Sequence, residues 1–173
     1  MRKNMNSVAK PDLSVIKLRN ELHPGDLGYI AHVHGDLYAK EYGYGLRFEA
    51  YVLEGLNHFA QEYNIIKDKV WICEHDARII GFLVAQHRVD AIQLRYFIFL
   101  PAYRGIGLGK KLMNEFIDFM RATGCLHAYL WTTNEQHSAI ALYEKYGFEL
   151  TEEKPSNNFD KPLIERRYDL ILV

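Results

Sequence analysis

Three glycines stand between an arginine and a lysine in the segment Arg104–Lys110, which follows an apolar stretch and precedes a helical pattern. Gly105, Gly107 and Gly109 carry no Cβ, so backbone N–H groups there can approach a bulky anion closely. A helix that begins in this segment adds about half a positive charge at its N-terminus, and the arginine and the lysine add two cations. The segment therefore predicts a binding loop for a phosphate or pyrophosphate group, with an ordinary strand–turn–helix connection as the alternative.

The spacing of the glycines distinguishes between known glycine-rich loops. A dinucleotide-binding G-x-G-x-x-G pattern that starts at Gly105 needs a glycine at position 110, where Lys110 stands, and a P-loop needs a glycine in place of Arg104. The pattern that is present, Arg104-x-x-Gly107-x-Gly109, resembles the pyrophosphate loop of the GNAT superfamily of N-acetyltransferases. The resemblance implies a loop that binds acetyl-CoA through Arg104, Gly105, Ile106, Gly107, Leu108, Gly109 and Lys110.

A second motif lies about 35 residues further along the chain. The segment Ala139–Phe148 resembles the GNAT pattern A-x-x-x-Y-x-x-x-G-F, in which the tyrosine faces the sulfur of the cofactor. A phenol with a pKa near 10 can protonate a departing thiolate with a pKa near 8.5, and it stays protonated at neutral pH. The resemblance therefore implies that Tyr143 contacts acetyl-CoA and acts as the general acid. An aromatic side chain that packs on an amphipathic helix is the alternative.

The strand before the glycine loop completes the cofactor site that the resemblance implies. In the family this strand separates from its neighbour and offers backbone groups to the pantetheine arm, a role that falls by position to Phe97, Ile98 and Phe99. The N–H group of Phe99 would polarise the thioester carbonyl. An asparagine after the following strand often completes the family's site. Asn134 is the candidate, although it lies nine residues before Tyr143, where the commoner family spacing is seven.

A base for the acceptor amine is harder to find in this sequence. Many relatives place a glutamate on one of two strands, but the matching positions hold Gln93 and Trp131, and neither side chain can accept a proton. His34, Glu41 and Glu49 in the first two predicted helices are the remaining candidates, and we take Glu49 as the predicted catalytic residue. A water relay, or an amine that arrives neutral, is the alternative.

The elements that position these residues follow from the apolar pattern and the turn residues. Their predicted bounds are Ser14–Leu18 (strand); 24–42 and 46–63 (helices); Lys69–Glu74, Ile79–Gln86 and Ala91–Phe99 (strands); 108–123 (helix); Ala128–Thr132 (strand); Ser138–Tyr146 (helix); Phe148–Thr151 and Ile164–Val173 (strands). This order predicts a mixed α/β protein whose central, mostly antiparallel sheet is flanked by helices, and the resemblance implies the GNAT fold. We expect a flexible tail over residues 1–12 and one acetyltransferase domain over residues 13–173.

Composition excludes several classes of protein. The 173 residues carry 21 basic and 22 acidic side chains, so no overall field favours nucleic acid or an anionic membrane. No stretch approaches 18 apolar residues, and the first ten residues lack the apolar run of a signal peptide. The two cysteines, Cys73 and Cys125, have no metal-binding spacing and are typical of reduced thiols in a cytoplasmic protein. We therefore expect a cytoplasmic location, with no metal, nucleic-acid or membrane partner.

The first half of the chain narrows the resemblance and indicates the acceptor. The segments His32–Gly43 and Arg47–Ala50 resemble the acetyltransferase half of bacterial MarR–GNAT fusion proteins, and we expect the winged-helix half to be absent. In the family the first two helices largely determine the substrate. Here they are rich in aromatic residues, which could surround an apolar amine or be core: Tyr29, Tyr38, Tyr42, Tyr44, Phe48 and Tyr51. Arg95 would suit a carboxylate if it faces the same cleft.

Taken together, the residues predict an N-acetyltransferase that transfers an acetyl group from acetyl-CoA to a primary amine by direct attack. The acceptor would be a small-molecule amine or the amine of an amino acid or peptide. The alternative is a non-catalytic acyl-CoA sensor or interaction module, which the missing strand glutamates favour and the retained Tyr143 disfavours. The alternating apolar segment Ile164–Val173 could pair across a homodimer.

Overall fold

A computed structural model of the chain describes residues 10–173, so most of the predicted flexible tail lies outside the described residues. The elements in chain order are β1 (Lys17–Arg19), α1 (Asp26–Tyr42), α2 (Leu46–Glu62), β2 (Lys69–His75), β3 (Arg78–His87), β4 (Ile92–Phe99), α3 (Leu108–Thr123), β5 (His127–Thr133), α4 (His137–Lys145), β6 (Glu149–Ser156) and β7 (Leu163–Ile171). Their order confirms the predicted one, and most of their bounds agree within three residues. In the described part of the chain no helix is both long and apolar enough to span a membrane.

The strands form one seven-stranded sheet in the order β1-β2-β3-β4-β5-β7-β6. Every neighbouring pair is antiparallel except β4 and β5, which are parallel and are paired only at Ile92 with Ala128 and at Gln93 with Tyr129. Beyond these two positions the strands separate and leave an opening in the middle of the sheet. The predicted mixed, mostly antiparallel sheet and the predicted separation of the strand before the glycine loop are confirmed.

A β-bulge in β4 changes the direction of its side chains at this opening. The register between β3 and β4 shifts between Phe82 and Val84, and Tyr96 has a φ of 52°. A bulge adds one residue to a strand, so two consecutive side chains can lie on the same face. A Cβ at Gly55 on α2 would overlap the side chains of both Arg95 and Tyr96, which shows that both face α2.

The helices bury the two faces of the sheet. An apolar stripe on α3, from Leu108 through Leu112 and Phe116 to Met120, is buried on one face, where α4 also packs. On the other face α2 buries a stripe that includes Phe48 and Phe59, with α1 beside it. Each such side chain contributes about 1.5–3 kcal/mol when it leaves water. The sheet is therefore held rigidly on both sides of the opening between β4 and β5.

Two predictions at the ends of the chain need correction. The first strand is shorter than Ser14–Leu18, because the Asp12 side chain accepts a hydrogen bond from the Ser14 N–H and starts a 3₁₀ turn over Leu13–Val15. The prediction that Ile164–Val173 pairs across a dimer is wrong, since β7 is paired on one side with β5 and on the other with β6. An inner strand has no free edge to offer to a second copy.

Candidate active site

A cleft of about 280 Å³ extends from the glycine loop to α4, and we call it the loop cleft. The end of β4, the loop, α1 and α4 form its walls. The predicted cofactor residues that line it are Phe97, Ile98, Phe99, Arg104, Gly105, Gly109 and Tyr143. The other loop residues do not line it. Leu108 is buried in the core with Ile106 packed against that core, Gly107 is the N-cap of α3, and the Lys110 carbonyl accepts a hydrogen bond from the Tyr146 hydroxyl.

The glycine loop presents unpaired backbone N–H groups at the start of α3. Gly105 and Gly107 have φ values of 76° and 93°, which side-chain-bearing residues rarely adopt. Among residues 10–173 no side chain caps the helix, and its first turn contains no acidic residue. The first intrahelical bond runs from the Lys111 N–H to the Gly107 carbonyl, so no acceptor in the described residues occupies the N–H groups of the first turn, which are available to a ligand. This arrangement favours a phosphate or pyrophosphate group.

Gly109 allows α3 to approach the other wall of the loop cleft. A Cβ at this position would lie 3.2 Å from Leu142 Cδ2 on α4 and 3.8 Å from Phe99 Cε2 on β4. Contacts of 3.2 Å are tighter than carbon atoms normally make, so the neighbours would have to shift. The motif needs a glycine at position 109 because α3 lies very close to α4 and β4 there, which keeps the loop cleft narrow beside the helix N-terminus.

The side chain of Arg104 connects the loop to β4 and α1. Its Nε donates to the Phe99 carbonyl at 2.9 Å, and its Nη1 pairs with Glu41 on α1 at 2.8 Å. Lys10 donates from its Nζ to the Arg104 carbonyl at 2.5 Å, so a second cation lies beside the loop. Glu41 is therefore the counter-ion of Arg104, and this contact gives no support to its role as a base.

The strand β4 turns unpaired backbone groups toward the opening. The Leu100 N–H donates to the Ile80 carbonyl on β3 at 2.9 Å, and backbone groups alternate sides along a strand. The N–H groups of Phe97 and Phe99 therefore point away from β3, toward the side where β5 has separated from β4. The Phe99 carbonyl points the same way and accepts from the Arg104 side chain. Either of these two N–H groups, rather than that of Phe99 alone, is therefore available to polarise a carbonyl.

A second cleft, of about 110 Å³, lies in the opening between β4 and β5, and we call it the sheet cleft. Its walls come from α1, α2, the two strands and the chain around β7. Gln93, Trp131 and Arg95 all line it. Of the six aromatic residues predicted for the acceptor site, Tyr38, Phe48 and Tyr51 line it, whereas Tyr29, Tyr42 and Tyr44 do not.

Four residues line both clefts and mark their junction: Tyr38, Phe97, Gln136 and Tyr143. Tyr143 is 5% exposed, and its ring centroid lies 6.2 Å from that of Phe97. Burial raises the pKa of Tyr143 above its ordinary value, and burial together with the neighbouring Tyr143 raises the pKa of Tyr38. Both phenols are thus hydrogen-bond donors at neutral pH.

His34 is the one predicted base candidate that lines the sheet cleft. Its Nδ1 lies 2.8 Å from the Ile30 carbonyl and therefore carries the proton that it donates to that oxygen. Burial lowers the pKa of His34 to about 4, because a charged imidazole would lose its hydration there. The ring is neutral at pH 7 and is a poor proton acceptor.

Glu165 on β7 contributes a carboxylate to the sheet cleft, and no sequence pattern predicted it there. It lies opposite Thr133 in the register between β5 and β7. Its oxygens accept from Asn158 Nδ2 at 3.0 Å and pair with Lys154 Nζ at 3.5 Å. No local motif marks this residue, because the sheet order brings it to the cleft from near the end of the chain.

Two predicted site residues lie elsewhere. Glu49 packs against Gly35 between α1 and α2 and lines neither cleft, so its position does not support a role as base. Asn134 also lines neither cleft, since its Oδ1 accepts from the Ile164 N–H at 2.9 Å and its own N–H donates to the Ile164 carbonyl. Gln136, seven residues before Tyr143, stands at the family spacing and lines both clefts.

Across residues 10–173 no three His, Cys, Asp or Glu side chains lie together as metal ligands would. The polar groups that line the two clefts include backbone N–H groups, phenols, the His34 imidazole, the carboxylates of Glu41 and Glu165, and the cations of Arg95 and Arg104.

Comparison with known proteins agrees with this arrangement. The chain is 35% identical over 98 residues to the uncharacterized N-acetyltransferase YjgM of Escherichia coli, a match that covers 54% of this chain and 59% of that protein. It is also 35% identical over 85 residues to the ribosomal protein bS18-alanine N-acetyltransferase of Haemophilus influenzae, across 49% of this chain and 57% of that protein. In both cases the match spans less than two thirds of the relative's own length.

Solved structures share the whole fold. The structure of YncA from Salmonella typhimurium with its cofactor acetyl-CoA has a TM-score of 0.67 at 17% sequence identity, over 92% of this chain and 95% of that one. The model of the acetyltransferase (GNAT) family matches residues 36–148, which include the glycine loop, the separated strand and Tyr143. This match covers more than half of the chain, and the protein therefore belongs to the acetyltransferase (GNAT) family.

Proposed function

We propose that this protein is an N-acetyltransferase that transfers the acetyl group of acetyl-CoA to a primary amine. The observation that carries the proposal is the position of Tyr143 at the junction of the loop cleft and the sheet cleft. One cleft begins at an anion-binding helix N-terminus, the other is lined by aromatic and polar side chains, and they meet at a phenol. A transferase for two substrates needs such a meeting point.

The loop cleft would hold acetyl-CoA, which supplies the acetyl group as a reactive thioester. The backbone N–H groups from Gly105 to Lys110 would bind the diphosphate, with Lys10 as a nearby cation. Phe97 and Phe99 would contact the pantetheine arm through their backbone groups. YncA, whose structure was determined with acetyl-CoA, supports this choice of substrate.

At the junction, the N–H group of Phe97 or of Phe99 would polarise the thioester carbonyl as the amine attacks, while the other would contact the pantetheine arm. Tyr143 would donate a hydrogen bond, and then its proton, to the departing thiolate. Burial raises the pKa of Tyr143, which makes the phenol a weaker acid than in water. Burial also destabilises a thiolate formed in the same place, so the coenzyme A thiol remains a stronger acid than the Tyr143 phenol.

The amine would enter through the sheet cleft and must lose a proton before it attacks. An amine with a pKa near 10 requires about 4 kcal/mol to be neutral at pH 7. We assign proton acceptance to the Glu165 carboxylate, directly or through water, because it lines the sheet cleft and neither Glu41 nor Glu49 is placed for this role. The bS18-alanine N-acetyltransferase acts on an alanine amine, which supports an amine as the acceptor class.

A thiol-release assay with acetyl-CoA and a panel of primary amines tests the proposal. We expect coenzyme A to form at a rate that depends on the amine, and Tyr143→Phe to slow this release without weakening acetyl-CoA binding. Acetyl-CoA binding without release of coenzyme A by any amine would favour the alternative, a non-catalytic sensor. The glutamine and tryptophan at positions 93 and 131, where many relatives carry glutamate, are the observation that keeps this alternative open.

The narrower resemblance to MarR–GNAT fusion proteins remains a prediction from the segments in α1 and α2. The cytoplasmic location and the division into a tail and one domain over residues 13–173 are likewise proposals. None of them enters the mechanism above.

A further inference from the structure

The sheet cleft contains a cation that has no counter-ion among the described residues. Arg95 on β4 donates to Gln86 Oε1 at 3.0 Å, and no described carboxylate pairs with its guanidinium. An arginine has five N–H donors, so most of them remain free. A partly buried charge is costly unless it is paired, so Arg95 favours an anionic group as its partner.

The support behind Arg95 is rigid. Gln86 is 2% exposed, and its Oε1 accepts from Arg95 and also from Arg88 at 3.1 Å. Arg88 is held by Gln93 as well and has Glu62 as an acidic neighbour at 3.8 Å. The two guanidinium groups share one buried amide. Arg95 lines the sheet cleft and Arg88 does not, whereas both line a neighbouring cleft that also contains Glu54 and Glu62.

A second group, Tyr96, lies directly beside the Arg95 guanidinium, whose Cζ is 4.8 Å from the centroid of the Tyr96 ring. Tyr96 lines the sheet cleft and is 9% exposed, and its Oη is buried without a hydrogen-bond partner in the described structure. Leaving a buried hydroxyl unpaired costs about 1–3 kcal/mol. Burial raises the pKa of Tyr96 to about 12, so the hydroxyl is a donor at neutral pH. The bulge in β4 turns this hydroxyl and the Arg95 guanidinium toward the same point beside Gly55.

We propose that Arg95 and the Tyr96 hydroxyl bind a carboxylate on the acceptor, so that the substrate is an amine that also bears a carboxylate, as an amino acid does. This inference rests on the proposed function. A guanidinium and a phenol together match a carboxylate, which accepts several hydrogen bonds and carries the complementary charge. A polyamine would instead bring more positive charge next to Arg95. The aromatic residues of the sheet cleft, among them Trp131 and Phe48, would contact the rest of the molecule.

Matched pairs of acceptors that differ only in the carboxylate test the proposal, for example L-phenylalanine with phenethylamine and L-alanine with ethylamine. We expect the carboxylate-bearing member of at least one pair to have the higher kcat/KM for coenzyme A release. Arg95→Gln should remove this preference, with a loss on the order of 10- to 100-fold for the carboxylate-bearing amine alone. Higher turnover with the carboxylate-free members or with spermidine would overturn the proposal.

Two further variants separate binding from folding and from overall charge. Tyr96→Phe should lower kcat/KM for the carboxylate-bearing acceptor by about three- to tenfold. It should leave the melting temperature unchanged or higher, because it removes an unpaired buried hydroxyl. Arg88→Gln removes an equal charge from the same amide but from outside the sheet cleft, so the preference should survive. A loss of preference in Arg88→Gln equal to that in Arg95→Gln would contradict a specific contact.

Direct binding keeps this inference separate from the transferase proposal. Calorimetry with N-acetyl-L-phenylalanine and N-acetylphenethylamine, in the presence of coenzyme A, reports on the carboxylate without turnover. If acetyl-CoA binds but no amine reacts, the transferase proposal fails, while a stronger heat for the carboxylate compound that Arg95→Gln removes would still support the contact. Equal affinity for the two compounds, or no binding of either at about 10 mM, would overturn it.

Discussion

The loop cleft and the sheet cleft meet at Tyr143 but are built in different ways. The anion-binding end of the loop cleft is made of backbone, from Gly105 to the first turn of α3, and a helix N-terminus gives it its preference for anions. The sheet cleft is made of side chains from α1, α2, β4, β5 and the chain around β7. Backbone sites need only a short motif, whereas side-chain sites depend on how distant elements pack. A backbone loop can therefore be common to a whole family, whereas a cleft built of side chains can differ from one member to another.

The junction itself gives the largest expected effect. Tyr143→Phe keeps the ring beside Phe97 but removes the donor, so kcat should fall on the order of 100- to 10,000-fold at saturating acetyl-CoA. Acetyl-CoA affinity should stay within about twofold, since the loop contacts are unchanged. Steady-state kinetics with calorimetry for the cofactor measure both quantities. Undiminished turnover would exclude Tyr143 as the acid.

A smaller effect is expected in the sheet cleft at Glu165. Glu165→Gln should lower kcat/KM for the amine by about 100-fold at pH 7 and by less as the pH approaches the amine pKa, where free amine needs no base. A pH–rate profile measures this, and Glu49→Gln is the matched control, with no change expected. Equal profiles for Glu165→Gln and wild type would remove Glu165 as the base.

The same pH–rate profile also tests the protonation state of Tyr143. Because burial holds the pKa of Tyr143 above its ordinary value, the wild-type profile should show no falling limb up to about pH 10.

The loop cleft should respond to a single methyl group. Gly105→Ala places a Cβ in the anion-binding loop at a φ of 76°, and acetyl-CoA affinity should fall by about tenfold. Gly124→Ala is the control, since Gly124 has a similar φ of 69° at the end of α3 and lies outside both clefts. Both variants should lose about 1–2 kcal/mol of stability, but only the first should lose affinity. Equal affinity in both would show that the loop does not bind the cofactor.

The smallest kinetic effect is expected at Asn134. Its side chain holds the Ile164 N–H, so Asn134→Ala should cost about 1–2 kcal/mol of unfolding free energy and leave acetyl-CoA affinity unchanged. Chemical denaturation and cofactor titration measure the two effects. Gln136→Ala, at the junction, should change the KM values by a few-fold with little loss of stability. A loss of acetyl-CoA affinity in Asn134→Ala with unchanged unfolding free energy would restore Asn134 to the cofactor site.

The fold was predictable because its signals are local. The stripe from Leu108 to Met120 determines a helix, and glycines at 43 and 124 with positive φ end helices at the predicted places. The loop and Tyr143 were predictable for the same reason, since each motif lies within ten residues. The turn at Leu13–Val15 was missed because one hydrogen bond, from the Ser14 N–H to the Asp12 side chain, outweighs a weak strand preference.

The sheet cleft was only partly predictable, because it depends on non-local packing. Gln93 and Trp131 could be placed by their strands, but Glu165 reaches the cleft only through the sheet order, with β7 between β5 and β6. The bulge that turns Tyr96 toward α2 has no sequence signal of its own. Glu49 was wrongly favoured because an acidic residue on the right helix can still face its neighbouring helix rather than the cleft.

A crystal structure of the complex with acetyl-CoA would show the contacts on which the proposed mechanism depends. We expect the diphosphate at the N–H groups between Gly105 and Lys110, and the thioester sulfur within hydrogen-bond distance of Tyr143 Oη. The acetyl carbonyl should accept from the N–H group of Phe97 or of Phe99, with its open side toward the sheet cleft. A sulfur atom away from Tyr143, or phosphates bound elsewhere, would refute this mechanism.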